Sequence, residues 1–309
     1  MAVTLAVEVD QWRAHLRRYV AEHPDLIPVI KGNGYGFGRQ RLVDECRRLG
    51  LDAYAVGTAW ELEPTETAVV LTPCATLADA QALTPNATAT VGSTRHIVVL
   101  RDAGWRGAVL VKLRTSLGRY GAERDQLAEL MRAVDAAGLE LAGFGLHFPL
   151  AGTAADHAAE LTAWLAHLPP GATVHVGHVL PPPTTMHRLR PRVGTALWLG
   201  ARDALHLEAD VVDVRPTTRG DRVGYRQVET PTSGHLVLVG GGTAHGITAL
   251  DDGRSPFHFA RTRLSLLEPP HMHTSMCFVP DGTPCPEPGK RVDVQRPLTR
   301  TLVDCVEDR

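Results

Sequence analysis

The stretch IPVIKGNGYGFG, Ile27–Gly38, decides how this chain is read. A short apolar run stops at a single lysine, Lys31, and four glycines, an asparagine, a tyrosine and a phenylalanine follow at once. An apolar run of this length closed by glycine is a buried strand. In a parallel α/β barrel the C-terminal strand ends are where chemistry sits. A lysine there is expected to be desolvated, which lowers its pKa and frees its amine to act as a nucleophile. The glycines let backbone N–H groups approach a ligand such as a phosphate, and Tyr35 adds a rigid hydroxyl. A lysine that must bond a phosphate-bearing aldehyde needs such neighbours. The plain alternative is a loop whose lysine points to solvent.

Working outward, short apolar runs alternate with helical patterns. Strands are expected at Leu5–Val9, Ile27–Lys31, Asp52–Val56, Val69–Leu71, Ala89–Val91, Ala108–Leu113, Gly143–His147, Val174–Val179 and Ala196–Leu199. The stretch RQRLVDECRRLG puts Leu42, Val43 and Cys46 on one helical face and ends at Gly50. ERDQLAELMRAVDAAG does the same with Leu127, Leu130, Met131 and Val134, ending at Gly138. About eight β-α units predict a (β/α)8 barrel over residues 1–204. Leu180–Arg192, LPPPTTMHRLRPR, reads as a stiff basic loop within it. From residue 205 to 309 the helical period is lost, and alternation broken by frequent turn residues predicts an all-β domain. The first strand is a candidate to pair with that domain.

Composition removes several function classes. The 309 residues are 44% hydrophobic and 21% charged, with a formal net charge of −2. No basic excess argues for nucleic acid or for an anionic membrane surface. No window approaches the roughly 20 apolar residues of a membrane span. Glu8 and Asp10 interrupt the N-terminal apolar residues, so no signal peptide is expected. Five cysteines without C-x-x-C spacing fit a reduced, cytoplasmic protein. His271 and His273 alternate on a strand with no third ligand in view, so no metal site is expected.

The motifs taken in order carry a resemblance. VIKGNGYGFG resembles the VKANAYGHG signature of alanine racemases, fold type III enzymes dependent on pyridoxal 5′-phosphate. LAVEVDQWRAHLRRY, AVGTAWELEP, VKLRTSLGRYGA, FGLHFP, LRPRVGTALWLG and GDRVGYRQV are similar to successive family segments across nearly the whole chain. The resemblance implies a cofactor bonded to Lys31, which also serves as acid/base on the substrate Cα. It implies that Tyr35 helps hold the phosphate, that Gly194 and Thr195 donate backbone N–H groups to it, and that Arg192 faces the pyridine nitrogen. An arginine there stays protonated and leaves that nitrogen without a proton. His147 is implied to pack beside the cofactor and Arg192, with a satisfied core histidine as the alternative. Arg119 is implied to reach the cofactor's phenolic oxygen or the substrate carboxylate. Lys112 stands where the family lysine is often carbamylated, an ordinary strand lysine being the alternative. An amino-acid substrate and a homodimer with shared active sites follow from the same resemblance.

The pattern breaks at four places. The family's second base is a tyrosine of the β-domain, and Thr243 stands there, with His245 in place of the next aspartate. A threonine hydroxyl is too weak an acid for the task, whereas histidine has a suitable pKa; Tyr225 is another candidate, more simply read as a strand tyrosine. Asp304 replaces a phosphate-binding tyrosine, His178 a phosphate-binding serine and Arg114 an aspartate. Cys277, which resembles the catalytic cysteine of related decarboxylases, is more simply a packed β-domain residue. Three readings stay open: a racemase or epimerase with an altered second base, a one-base enzyme such as a decarboxylase, lyase or aldolase, and a cofactor-binding protein without turnover.

Overall fold

The computed structural model describes residues 2–63, 67–178 and 185–309. The chain divides into two compact units, one made of Leu16–Gly32 and Arg39–Trp198, the other of the residues up to His15 with Asn33–Gly38 and Leu199–Arg309. Strand β1 (Val3–Val7) belongs to the second unit. The first unit is a closed parallel barrel of β2 (Ile27–Pro28), β3 (Tyr54–Val56), β4 (Ala68–Val70), β5 (Ala87–Val91), β6 (Ala108–Lys112), β7 (Glu140–His147), β8 (Thr173–Gly177) and β9 (Arg188–Val193). Neighbours pair in the order β2-β9-β8-β7-β6-β5-β4-β3. A Val29–Ala55 bridge closes the ring, and Ile30 N–H donates to Ala55 O at 2.7 Å.

Helices α1 (Val9–Glu22), α2 (Arg39–Arg48), α3 (Leu77–Gln81), α4 (Thr94–Asp102), α5 (Leu127–Ala136), α6 (Ala154–Leu165) and α7 (Thr195–Trp198) accompany the strands. The apolar faces expected on α2 and α5 are buried at Leu42, Val43, Cys46, Leu127, Leu130 and Val134. Capping boxes start α3 (Thr76 with Asp79) and α6 (Thr153 with Asp156), each satisfying N–H groups that a helix start leaves open.

Two expectations are corrected. Arg188–Val193, read as the end of a stiff loop, is strand β9. Its period of two is carried by Arg188, Arg190 and Arg192 rather than by apolar residues, and Pro191 further disguises it. Residues 180–184 of that expected loop, and the Val179 end of an expected strand, lie outside the described residues. The expected strand Ala196–Leu199 is helix α7, because a four-residue apolar run does not distinguish the two conformations. Trp198 is fully buried and its Nε1–H donates to Val29 O at 2.9 Å, fixing the backbone two residues before Lys31.

The second unit is antiparallel in the main. Strand β1 pairs antiparallel with β10 (Leu205–Thr217) and parallel with the C-terminal strand Cys305–Asp308. Strand β10 also pairs with Gly234–Val239 and Arg291–Val294, with a register shift between Val211 and Asp213. Val3, Val211, Val237, Ile247, Phe257 and Cys277 are among the side chains of its core. Cys277 is fully buried, and desolvation pushes its thiol up to about 12, far from a reactive thiolate.

Candidate functional site

The barrel interior has two characters. Ile27, Val29, Ala55, Val69 and Leu110 pack into one apolar cluster. Pairing register and alternation place Lys112, His147, His175, Arg190 and Arg192 on the same face of strands β6 to β9. One side of the lumen is hydrocarbon and the other is cationic. Two glycines make room for the long basic chains: Gly145 pairs with Lys112, and Gly177 with Arg192. A Cβ at Gly177 would run into the His147 ring.

This crowding sets the charges. Lys112 is 4% exposed, and its Nζ donates to Gly145 O at 3.2 Å and Leu113 O at 3.3 Å. Desolvation, then Arg192 and Arg119, lowers it to about 6, leaving a neutral amine at pH 7. Desolvation and Arg192 depress His147 to about 3. His175 is also depressed to about 3 by desolvation and by the three arginines of β9, and its buried Nδ1 has no hydrogen-bond partner. Arg192 donates from Nη2 to Leu146 O at 2.6 Å, and desolvation lowers it to about 10. The two histidines therefore face the arginine as neutral rings.

Lys31 is exposed, so the expected desolvation at this position is corrected: the desolvated lysine is Lys112. Strand β2 ends at Pro28 and its bridge at Val29, short of the lysine, whereas Lys112 is the last residue of β6. Glu61 fixes the turn that carries Lys31. Its Oε1 accepts from Gly32 N–H at 3.2 Å and its Oε2 from Gly57 N–H at 2.8 Å. Gly32 adopts φ +60°, where a side chain is disfavoured.

The strand ends bring several expected residues together. His178 follows β8 with its ring 4.9 Å from that of His147. Desolvation, then the charges of Lys31, His157, Arg119 and Arg192, holds His178 below its ordinary value. Arg119, exposed, lies in the excursion that leaves β6 and returns through a Leu113–Ala122 bridge; Arg114 on the same excursion pairs with Glu123 at 3.0 Å. A cavity of about 470 Å³ opens here, lined by Arg192, Gly194, Thr195, His178, His157 and Tyr19 among others, with no carboxylate in its wall. The donor set suits an anionic, phosphate-bearing group.

The remaining expected residues lie in the other unit. Tyr35 is 6% exposed in the turn Gly34–Gly36, with φ +56°. Asn33 anchors that turn by donating to Thr301 O at 2.7 Å and Leu298 O at 2.8 Å. Thr243 is exposed at the start of the turn Thr243–His245, its N–H donating to His271 O at 2.8 Å. His245 is buried with both ring nitrogens engaged: Nε2 lies 3.2 Å from Asp304 Oδ2, and Gly242 N–H donates to Nδ1 at 3.4 Å. Two departures from the family pattern thus meet each other. Asp304 is further held by Val3 N–H at 2.7 Å. His271 Nε2 pairs with buried Glu268 at 2.6 Å. Sequence reading missed Glu61, His175 and the strand character of Arg188–Val193. The alternating VHVGH and RLRPRV patterns carried the last two, and nothing local signals Glu61.

The Lys112 geometry gives a prediction about stability. Its folded pKa lies below the unfolded value of about 10.4. Between the two, the unfolded chain binds more protons, so stability rises with pH, by at most about 1.4 kcal/mol per unit. Urea unfolding of Lys112→Met at pH 7 and 8.5, in CO2-free buffer, is expected to show a shallower rise than the wild type. Equal slopes would mean that Lys112 is not buried as an amine.

The barrel with a basic strand-end mouth defines the class, an α/β-barrel protein with an anion-directed site. Comparison with known proteins narrows it. The sequence profile of the family "Alanine racemase, N-terminal domain" matches residues 7–198, and the chain belongs to that family. The structure is similar to the alanine racemase of Bartonella henselae with covalently bound pyridoxal phosphate, at TM-score 0.73 and 18% identity over 98% of this chain and 95% of that one. It is similar to the enzyme of D-cycloserine-producing Streptomyces lavendulae at TM-score 0.72 and 20% identity, over 100% and 97% of the two chains. The Bacillus anthracis enzyme with bound L-Ala-P gives TM-score 0.70 and 19% identity, over 94% and 85%. No curated protein matches the sequence. No helix among the described residues is long and apolar enough to cross a membrane, and no group of three or more metal-ligating side chains occurs among them.

Proposed function

We propose that this chain is a pyridoxal 5′-phosphate-dependent enzyme of the racemase or epimerase type, acting on an amino acid as a homodimer with an altered second base. The observation that carries the reading is the group of cations Lys31, Arg119 and Arg192 whose charges act on His178 at the strand ends, beside a cavity lined by His178 and Arg192. When bound, the cofactor withdraws electrons from the substrate Cα and so acidifies its hydrogen. Lys31 would bond the cofactor covalently and move a proton on one face of Cα. Arg192, which stays protonated near pH 7 even at about 10, would donate to the pyridine nitrogen without protonating it. Arg119 would hold a substrate carboxylate. The backbone of Gly194 and Thr195 would face the phosphate, and His147 would pack as a neutral ring beside Arg192. Lys112, neutral and between two arginines, is in the form that adds CO2; a carbamate there would pair with Arg119.

A one-base reaction is the second reading. It is favoured by the engagement of both His245 ring nitrogens, which leaves that residue holding the fold rather than carrying protons. Incubation with the cofactor and a panel of L-amino acids in deuterated water tests both. Exchange at Cα with slow inversion is the expected result. Release of CO2 or of a side-chain fragment would select the one-base reaction. A complete absence of turnover would refute both readings.

A further inference from the structure

We propose that the phosphate of the cofactor is gripped by an imidazole pair, His157 and His178, and that seating it draws a proton from solvent. The inference rests on the cofactor reading above. Both histidines line the cavity of about 470 Å³. His157 lies in the first turn of α6, with its ring against Phe148 at 5.4 Å between centroids. Its Nε2 is 3.1 Å from Ala151 O. A carbonyl only accepts, so that nitrogen carries the hydrogen of the neutral ring. A neutral imidazole has one N–H, and His157 has spent it. To donate to a phosphate oxygen through Nδ1 the ring must become imidazolium.

His178 is fixed differently. Its φ of +60° lies in the left-handed region, which histidine tolerates better than most residues. The charges facing it are Lys31 from the end of the β2 segment, His157 from α6, Arg119 from the excursion after β6, and Arg192 from β9; His147 of β7 stands beside it. Desolvation, then these four charges, disfavours its protonation. The acids close to His157 on its own helix also accept hydrogen bonds from other residues. Asp156 accepts from Thr153 N–H at 2.8 Å and its hydroxyl at 2.7 Å, and Glu160 accepts from Ser116 N–H and hydroxyl at 2.7 Å each. Asp156 also feels the charge of His157, and the dianion adds a counter-charge on the cavity side. The imidazole lone pair takes a proton from water, and no covalent bond to the ligand forms or breaks.

The sign of the linkage follows. Between the ring's ligand-free pKa and its raised value in the complex, the complex holds one proton more than its separated partners. Affinity then falls with rising pH, by up to about tenfold per unit. The second ionisation of a phosphate lies near about 6, so above pH 7 the ligand's own titration contributes little.

Pyridoxine 5′-phosphate, which lacks the aldehyde, tests this without involving Lys31 chemistry. Titration calorimetry at pH 7.5 in two phosphate-free buffers of different ionisation enthalpy should report uptake approaching one proton. The dissociation constant should rise several-fold from pH 7 to 8, and unphosphorylated pyridoxine should show neither effect. A His157→Gln/His178→Asn variant, with asparagine chosen because it tolerates positive φ, should lose the uptake and bind about tenfold more weakly at pH 7. Tight binding without proton uptake and without pH dependence would overturn the inference and leave the phosphate to Tyr19, Thr195 and backbone amides, the cofactor reading standing. If neither pyridoxine 5′-phosphate nor pyridoxal 5′-phosphate bound, the cofactor reading would fail and this inference with it.

Discussion

Lys31→Ala is expected to abolish covalent capture of pyridoxal 5′-phosphate. Borohydride should fix the cofactor to Lys31 in the parent chain, and peptide mapping should find the label nowhere in the variant. Activity should fall by at least the roughly 10²–10⁴-fold that positioned proton transfer contributes, since the proposed function makes the same amine the acid/base. The structure makes the experiment selective, because two of the three lysines of the chain, both in the barrel, have opposite surroundings. Lys31 is exposed at a strand end, in a turn held by Glu61. Lys112 is desolvated in the lumen, with its Nζ committed to two carbonyls. By nucleophilicity alone Lys112 is the better amine at neutral pH, being neutral. By access Lys31 is the better one. Label on Lys112 in the parent chain, or unchanged capture in Lys31→Ala, would reverse the assignment and make the buried amine the reactive one.

What the sequence disclosed and what it hid follow one rule. Elements whose period is carried by apolar residues were readable: Leu42, Val43 and Cys46 on α2, and Leu127, Leu130 and Val134 on α5, are buried as expected, and seven of the eight barrel strands overlap an expected strand. Strand β9 was not, because its alternating residues are arginines facing a lumen that is itself basic. Burial of Arg192 is tolerable only because Leu146 O, Gly177 and neutral His147 and His175 surround it, and none of that is local in sequence. The desolvation of Lys112 rather than Lys31 is hidden for the same reason. Its burial depends on Gly145 across the sheet, and its lowered pKa depends further on the charges of two arginines distant along the chain. Glu61 is further from legible still, since a carboxylate in a loop carries no signature until Gly32 and Gly57 converge on it. The pairing of His245 with Asp304 explains two departures from the family pattern at once. Each was legible as a substitution, but the contact that ties them required the fold.

Racemisation of alanine by this chain is expected to be barely detectable, and Thr243→Tyr is expected to raise it by one or more orders of magnitude. Inversion needs proton transfer on both faces of Cα, and the proposed function assigns one face to Lys31. A positioned general acid on the other face is worth about 10²–10⁴-fold. Thr243 cannot supply it, since an alkyl hydroxyl does not ionise near neutral pH. His245 has the right intrinsic pKa, but Gly242 N–H occupies Nδ1 and Asp304 faces Nε2. Its ring therefore holds the turn Thr243–His245 rather than offering a lone pair. Thr243 is exposed at the start of that turn, with its backbone N–H fixed on His271 O, so a phenol can replace the side chain without displacing core. The two substitutions then separate the explanations. If His245→Ala abolished a substantial parental activity while the protein still melted cooperatively, histidine would be the second base. If parental racemisation were fast and survived His245→Ala, another residue would fill the role and the assignment of position 243 would be wrong. A gain confined to Thr243→Tyr, read as D-alanine formed per unit of Cα deuterium exchange, would locate the lost inversion in one missing phenol.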